Sequence, residues 1–126
     1  MSDPDKLDRL AASHGAPPPD TLRARLQALL ARGRDDALLR FGLGKACLDE
    51  GDAAAAAEHL QKATEHKPDY TAAWKLLGKA LLAQGRAQEA GSAWQQGLAL
   101  AQRQGDHQAG REMGVFLKRL SAPPPG

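Results

Sequence analysis

Leu43-Gly44 returns as Leu77-Gly78 at an offset of 34 in the numbering, and much of what surrounds the two pairs recurs at the same offset. Gly51 and Gly85, Ala56 and Ala90, and Leu60 and Trp94 all share it. A fixed period of this size marks two copies of one supersecondary unit, which cannot bury its apolar side alone and stacks on its neighbour. The constraint selects a scaffold of repeated units whose faces, rather than a catalytic pocket, carry the function.

Composition says what the unit is made of. Among 126 residues there is no Ile, one Val (Val115) and three Thr, and aromatics reach only 4%. Sheets favour β-branched and aromatic side chains, so a β-rich fold is excluded. Ala, Leu, Gln, Arg, Lys and Glu make up the bulk, and these lose least on entering a helix. The chain is therefore all-α, with room for one modest domain. Such an Ala-, Gly-, Arg- and Leu-rich composition also fits a GC-rich bacterial source.

Seventeen basic and 15 acidic residues are interspersed along the chain, with no block of five or six like charges. No nucleic-acid partner is expected from that pattern. The single cysteine, Cys47, has no internal disulfide partner and sits in a helical pattern, where a buried thiol is expected. Met1-Ser2-Asp3-Pro4-Asp5 lacks the basic-then-apolar order of a signal peptide. No apolar run approaches the ~18 residues that span a bilayer. A soluble, cytoplasmic protein without membrane contact is the expectation.

Two proline-rich stretches frame the middle: Pro17-Pro18-Pro19, and Pro123-Pro124-Pro125 near the end. Consecutive prolines lack N–H donors and favour extended backbone. Three regions follow: a flexible segment over residues 1–19 with a short helix at 4–12, a helical domain over 20–120, and a proline-rich tail over 121–126. Within the domain, Asp20 caps a helix striped by Leu22, Leu26, Leu29 and Leu30 and stopped by Gly33. Helices are then expected from Asp36 to before Gly51, from Ala53 to His66, from Tyr70 to Gln84, from Ala87 to Arg103 and from Asp106 to Leu120. Pro68 and Gly85 supply two of the stops. Loops of two to five residues force neighbouring helices antiparallel.

The units resemble the tetratricopeptide repeat (TPR) family, with its pattern W-x2-L-G-x2-Y, then A-x3-F, then P. The second unit matches at Trp74, Leu77, Gly78, Ala90 and Trp94, with Leu81 where Tyr is usual and Gln102 for the closing Pro. The first matches at Leu43, Gly44, Ala56, Ala63 and Pro68, with Leu60 as its large residue, Arg40 for the Trp and Cys47 for the Tyr. Leu22, Leu26 and Leu29 precede Ala56, Leu60 and Ala63 by the same offset, so the segment 20–32 reads as a second-type helix of a preceding half repeat. The final helix fits as a first-type helix with one residue inserted near Gln104-Gly105. Ala109, Met113 and Phe116 then take the apolar positions, and Glu112, Lys118 and Arg119 form a solvated outer side. The resemblance implies a right-handed superhelical α-solenoid of two full repeats flanked by half repeats.

That resemblance further implies a concave surface made by the first helices, where a peptide or protein partner docks. Leu38, Phe41, Gly42, Lys45 and Leu48 would line it, then Lys75, Leu76, Lys79 and Leu82, then His107, Gly110, Arg111, Gly114 and Lys118. Phe41, Lys45, Lys75, Lys79, Arg111 and Lys118 are the candidate binding residues. The cations among them form either a docking groove for an acidic segment or a solvated face that keeps the protein soluble. Some family members clamp chaperone tails with Lys, Asn, Asn, Lys and Arg. Phe41, Lys45, Leu76, His107 and Arg111 stand there, and with only Arg111 matching that activity is not supported. Gly110 and Gly114 either admit a close-packed backbone or mark a frayed cap.

Signals for chemistry fail. Gly42-Leu43-Gly44-Lys45 has Leu39 and Ala46 where a phosphate loop needs Gly and Ser or Thr. His59 and His66 lie two turns apart, ~10.5 Å of rise, too far to share one metal, and are expected to be solvated. No nucleophile, base and acid fall together, and no cofactor is indicated. A non-catalytic interaction module is the reading, and a self-associating structural subunit is the alternative.

Overall fold

The computed structural model describes residues 21–122. The expected helix at 4–12 and a capping role for Asp20 lie outside them. Six helices run in order: α1 (Leu22–Ala31), α2 (Ala37–Asp49), α3 (Ala53–His66), α4 (Thr71–Ala83), α5 (Ala87–Gln104) and α6 (His107–Ser121). No strand occurs among the described residues. The chain divides into two compact units, Met1–Arg34 and Asp35–Gly126.

In the first unit, α1 is capped by Thr21, whose hydroxyl accepts from the Ala24 N–H at 3.1 Å. No residue of α1 is buried, and Leu22 is 62% exposed.

The second unit holds α2 to α6. Short aspartate caps start three of its helices: Asp36 accepts from Leu39 N at 2.8 Å, Asp52 from Ala55 N at 3.2 Å and Asp106 from Ala109 N at 3.1 Å. Each cap satisfies an otherwise orphaned N–H and is worth ~1 kcal/mol. The turns between α2 and α3 and between α4 and α5 are copies of each other. Asp52 N donates to Cys47 O and Arg86 N to Leu81 O, both at 2.9 Å. Gly51 and Gly85 provide the positive φ, +80° and +76°, that this reversal requires.

The hairpins close through a small-for-large exchange made once in each repeat. A Cβ on Gly44 would come within 2.7 Å of Leu60 Cδ2, and one on Gly78 within 2.6 Å of Trp94 Cδ1. Each glycine is thus a socket on a first helix, filled by the large side chain of the second. Trp94 is 2% exposed, and its Nε1–H donates to the Lys75 carbonyl at 3.0 Å, so the burial leaves no polar atom stranded. Leu43, Ala56, Leu60, Leu77 and Ala90 are buried, and Trp74 packs half-buried against the same core. Trp74 Nε1–H reaches the Pro68 carbonyl at 2.8 Å. Cys47 is fully buried, as the helical pattern implied.

The last helix corrects the register expected for it. α2, α4 and α6 begin at Ala37, Thr71 and His107, offsets of 34 and then 36, so two residues are inserted and not one. The cause lies in α5, which covers 18 residues against 14 in α3. Its added turn ends at Gln104, whose Nε2–H donates to Asp69 O at 3.0 Å and whose Oε1 accepts from Thr71 Oγ1 at 2.8 Å. The connection to α6 is in turn two residues shorter than that between α3 and α4, leaving a net gain of two. In this register Met113-Gly114 repeats Leu43-Gly44 and Leu77-Gly78, and Met113, like Leu43, is fully buried. Its thioether lies against Gly97 of α5, where a Cβ would come within 3.1 Å of Met113 Cε.

The sockets differ in one testable respect. Around Gly114 nothing among the described residues lies within 4 Å of an added Cβ. Gly78→Ala therefore lowers stability by about 1–3 kcal/mol through overpacking against the indole. Gly114→Ala raises it by up to ~1 kcal/mol through helix propensity. Urea midpoints of the two variants check both signs.

Candidate functional site

Alternation of short turns sets α2, α4 and α6 side by side as first helices, with α3 and α5 behind them. Between α4 and α6 the groove is pinned at one end and open at the other. Lys75 Nζ meets Glu112 Oε2 at 2.8 Å, with both side chains about a third exposed or less (26% and 35%). The Lys75 ammonium first, and then the amide of Gln108, hold the Glu112 carboxyl below its ordinary range. Glu112 thus faces α4 and does not belong to a solvated outer side.

Toward the C-terminal ends of α4 and α6 the helices leave a cleft of about 590 Å³. Lys79, Leu82 and Ala83 of α4 form one wall, Phe116, Arg119 and Leu120 of α6 the other, and Trp94 of α5 lies between. Trp94 and Phe116 rings pack with centroids 5.1 Å apart. The Lys79 ammonium stands 5.2 Å from the centre of the Phe116 ring, a cation–π contact that fixes the cation at the rim. No acidic side chain lines the cleft, so Lys79 and Arg119 give it a positive edge over an apolar floor.

The six candidate binding residues do not form one cluster. Lys75 and Lys79 face α6, the first neutralised by Glu112. Arg111 and Lys118 line a separate, shallow recess on α6 with Gly114, Val115, Leu117 and Ser121. Phe41 stacks on Tyr70 with ring centroids 4.9 Å apart, and Lys67 covers the same ring at 5.4 Å. Burial there pushes the Tyr70 hydroxyl above its ordinary value. Lys45 is exposed on α2, in the same repeat position as Lys79. Phe116, Arg119 and Leu120 were not assigned to the groove from sequence. The signal for them was the wider offset before α6, which places Met113-Gly114 as the third Leu-Gly-type pair.

The histidines are engaged and not simply solvated. Arg40, standing where the second unit has Trp74, grips both oxygens of Asp35 at 2.8 and 2.9 Å. Its Nη1 also lies 3.1 Å from His59 Nδ1, and because a guanidinium only donates, that nitrogen accepts. His66 Nε2 reaches Asp35 Oδ1 at 2.9 Å. A carboxylate gripped at both oxygens is a structural clasp and not a general base. Among the described residues no group of His, Cys, Asp or Glu is placed to hold a metal.

The clasp has a defined acid response. Hydrogen bonds from Arg40, then His66, hold the Asp35 carboxyl far below the ordinary carboxylate range. A depressed folded-state value means the contribution is present above about pH 4, the unfolded carboxyl's range, and is lost as pH falls from there toward the folded value. Asp35→Asn is therefore less stable than wild type at pH 7, and the gap narrows between pH 4 and pH 2. Urea midpoints across that range measure it.

Comparison with known proteins follows the same lines. Two family profiles described as tetratricopeptide repeat match residues 47–112 and 23–69. The TPR repeat-containing protein PA0015 of Pseudomonas aeruginosa is 59% identical over 95 residues, covering 75% of this chain and 90% of that protein. The solution structure of protein BPP2914 from Bordetella parapertussis superposes with a TM-score of 0.71 at 46% identity, covering 81% of this chain and 89% of that one. No helix among the described residues is long and apolar enough to cross a membrane. With half the chain matched by one profile and a near relative covering three quarters of it, the chain belongs to the tetratricopeptide-repeat family, whose repeats serve as protein–protein interaction modules.

Proposed function

We propose that this protein is a non-catalytic adaptor that docks a linear segment of a partner protein in the cleft between α4 and α6. The segment pairs a carboxylate with a large apolar side chain. One observation carries the reading: an acid-free cleft in which Lys79 and Arg119 overhang Trp94, Phe116 and Leu82. The apolar side chain buries against Phe116 and Leu82, and the carboxylate meets the two cations, where charge-assisted hydrogen bonds are strongest. Lys45 carries positive charge further along the same face. Lys75 contributes little to a ligand, because Glu112 already holds its charge. Phe41, Arg111 and Lys118 lie outside the cleft and take at most a flanking part.

Trp94, buried beneath the cleft and packed on Phe116, supplies the reporter in a Trp74→Phe background. Synthetic peptides alternating Glu with Leu are titrated against the protein and followed by indole fluorescence and calorimetry. Lys79→Ala and Arg119→Ala each weaken binding by about tenfold, equivalent to ~1.4 kcal/mol, while Lys75→Ala changes it by less than about twofold. Equal affinity of a Gln-for-Glu peptide, or indifference to both Lys79→Ala and Arg119→Ala, contradicts the proposal.

A further inference from the structure

Away from that cleft, α1 has the register of a second helix and α6 that of a first helix. The two internal hairpins show what a complete unit requires: a glycine socket on the first helix and a large side chain from the second, as in Gly44 with Leu60 and Gly78 with Trp94. α6 is a first helix in that register, and its socket, Gly114, meets nothing within 4 Å among the described residues. α1 is a second helix in the same register, because Leu26 precedes Leu60 by one repeat period and Trp94 by two. Leu22 shares the position of Ala56 and Ala90, which are 0% exposed, yet is itself 62% exposed.

Sizes match as well as register. In the second unit the Cβ of Trp74 on the first helix lies against Gly97 on the second, 3.1 Å from an added Cβ. The equivalent pair across the two halves is Gly110 on α6 and Leu29 on α1, the same exchange with the roles reversed. By register Gly114 answers to Leu26, Leu117 to Leu22 and Gly110 to Leu29, although a Cβ on Gly110 would also lie 3.8 Å from Ala101 Cβ and Leu98 Cδ1 of α5. The six paired residues are uncharged, but Arg111 and Lys118 line the α6 recess with Gly114 and Leu117, and α1 carries Arg23 and Arg25 with no acid, so like charges flank the joint and added salt favours it. The joint continues an interface that the chain already builds twice.

We infer that two copies of this chain associate head to tail, α1 of one copy seating against the Gly110–Gly114 face of α6 of the next. The contact joins unlike surfaces, so each joined pair keeps one unused half of each kind.

Light scattering and sedimentation of the full chain, from micromolar to near-millimolar concentration, test this together with two variants. Leu22→Glu disables the α1 side, and Gly114→Arg fills the α6 socket. Neither position is buried, and circular dichroism verifies that each variant is folded. Wild type shows mass rising above the monomer with concentration, and each variant alone stays monomeric. An equimolar mixture restores a particle of two chains and no larger, since each variant retains the surface the other has lost. A wild type that stays monomeric throughout overturns the inference. So does Leu22→Glu protein that still associates, as in pairing of α6 with α6, or a mixture that yields monomers only. Peptide binding in the cleft is read separately and is unaffected by either variant.

Discussion

The contact between a large side chain on each hairpin's second helix and a glycine on its first is the interaction on which the structure rests. It decides how closely the helices approach, and through that distance where every other side chain falls. Burying Trp94 removes one of the largest apolar surfaces in the chain from water, a gain of a few kcal/mol, but only because Gly78 has no Cβ to occupy the same space. The first hairpin solves the same geometry with Leu60 and Gly44, a smaller side chain in an identical notch. With few aromatics and no Ile, the core otherwise depends on Ala packing against Leu, which tolerates neither added nor lost volume easily.

The cleft follows from a departure from that regularity. One further turn on α5, tied down by Gln104 to Asp69 and Thr71, displaces α6 by two residues. The shift turns Glu112 toward Lys75 and Phe116 toward Trp94 and Lys79. The ion pair draws α6 onto α4 at one end. At the other the helices stand apart over an aromatic floor. The cleft is thus built where the repeat is broken, while its support is built where the repeat is kept.

Most of the fold was legible because its determinants are local or periodic. Asp36, Asp52 and Asp106 cap helices where short polar residues precede apolar stripes, and Gly51, Gly85 and Pro68 stop them. The recurring Leu-Gly pairs, Leu43-Gly44 and Leu77-Gly78, mark the sockets in the sequence itself. The register of α6 was misread by one residue, because the longer helix and the shorter loop partly cancel and no proline marks the end of α5. Arg40 with His59, 19 residues apart, and His66 with Asp35, 31 apart, escaped notice because neither separation belongs to a helical period. Arg119 and Phe116 were missed for the first of these reasons, since membership of the cleft depends on the rotation of α6 about its own axis.

The socket at Gly78 is best tested in solution by nuclear magnetic resonance of the unmodified chain. Strong cross-relaxation between the Trp94 indole ring and the Gly78 Hα protons is expected. Hydrogen exchange at the Trp94 indole N–H, bonded to the Lys75 carbonyl, is expected to be much slower than in a free indole. Absence of that cross-relaxation, together with indole exchange at the rate of an unfolded chain, would mean that the two helices do not close on each other as described, and the account of both the core and the cleft would fail with it.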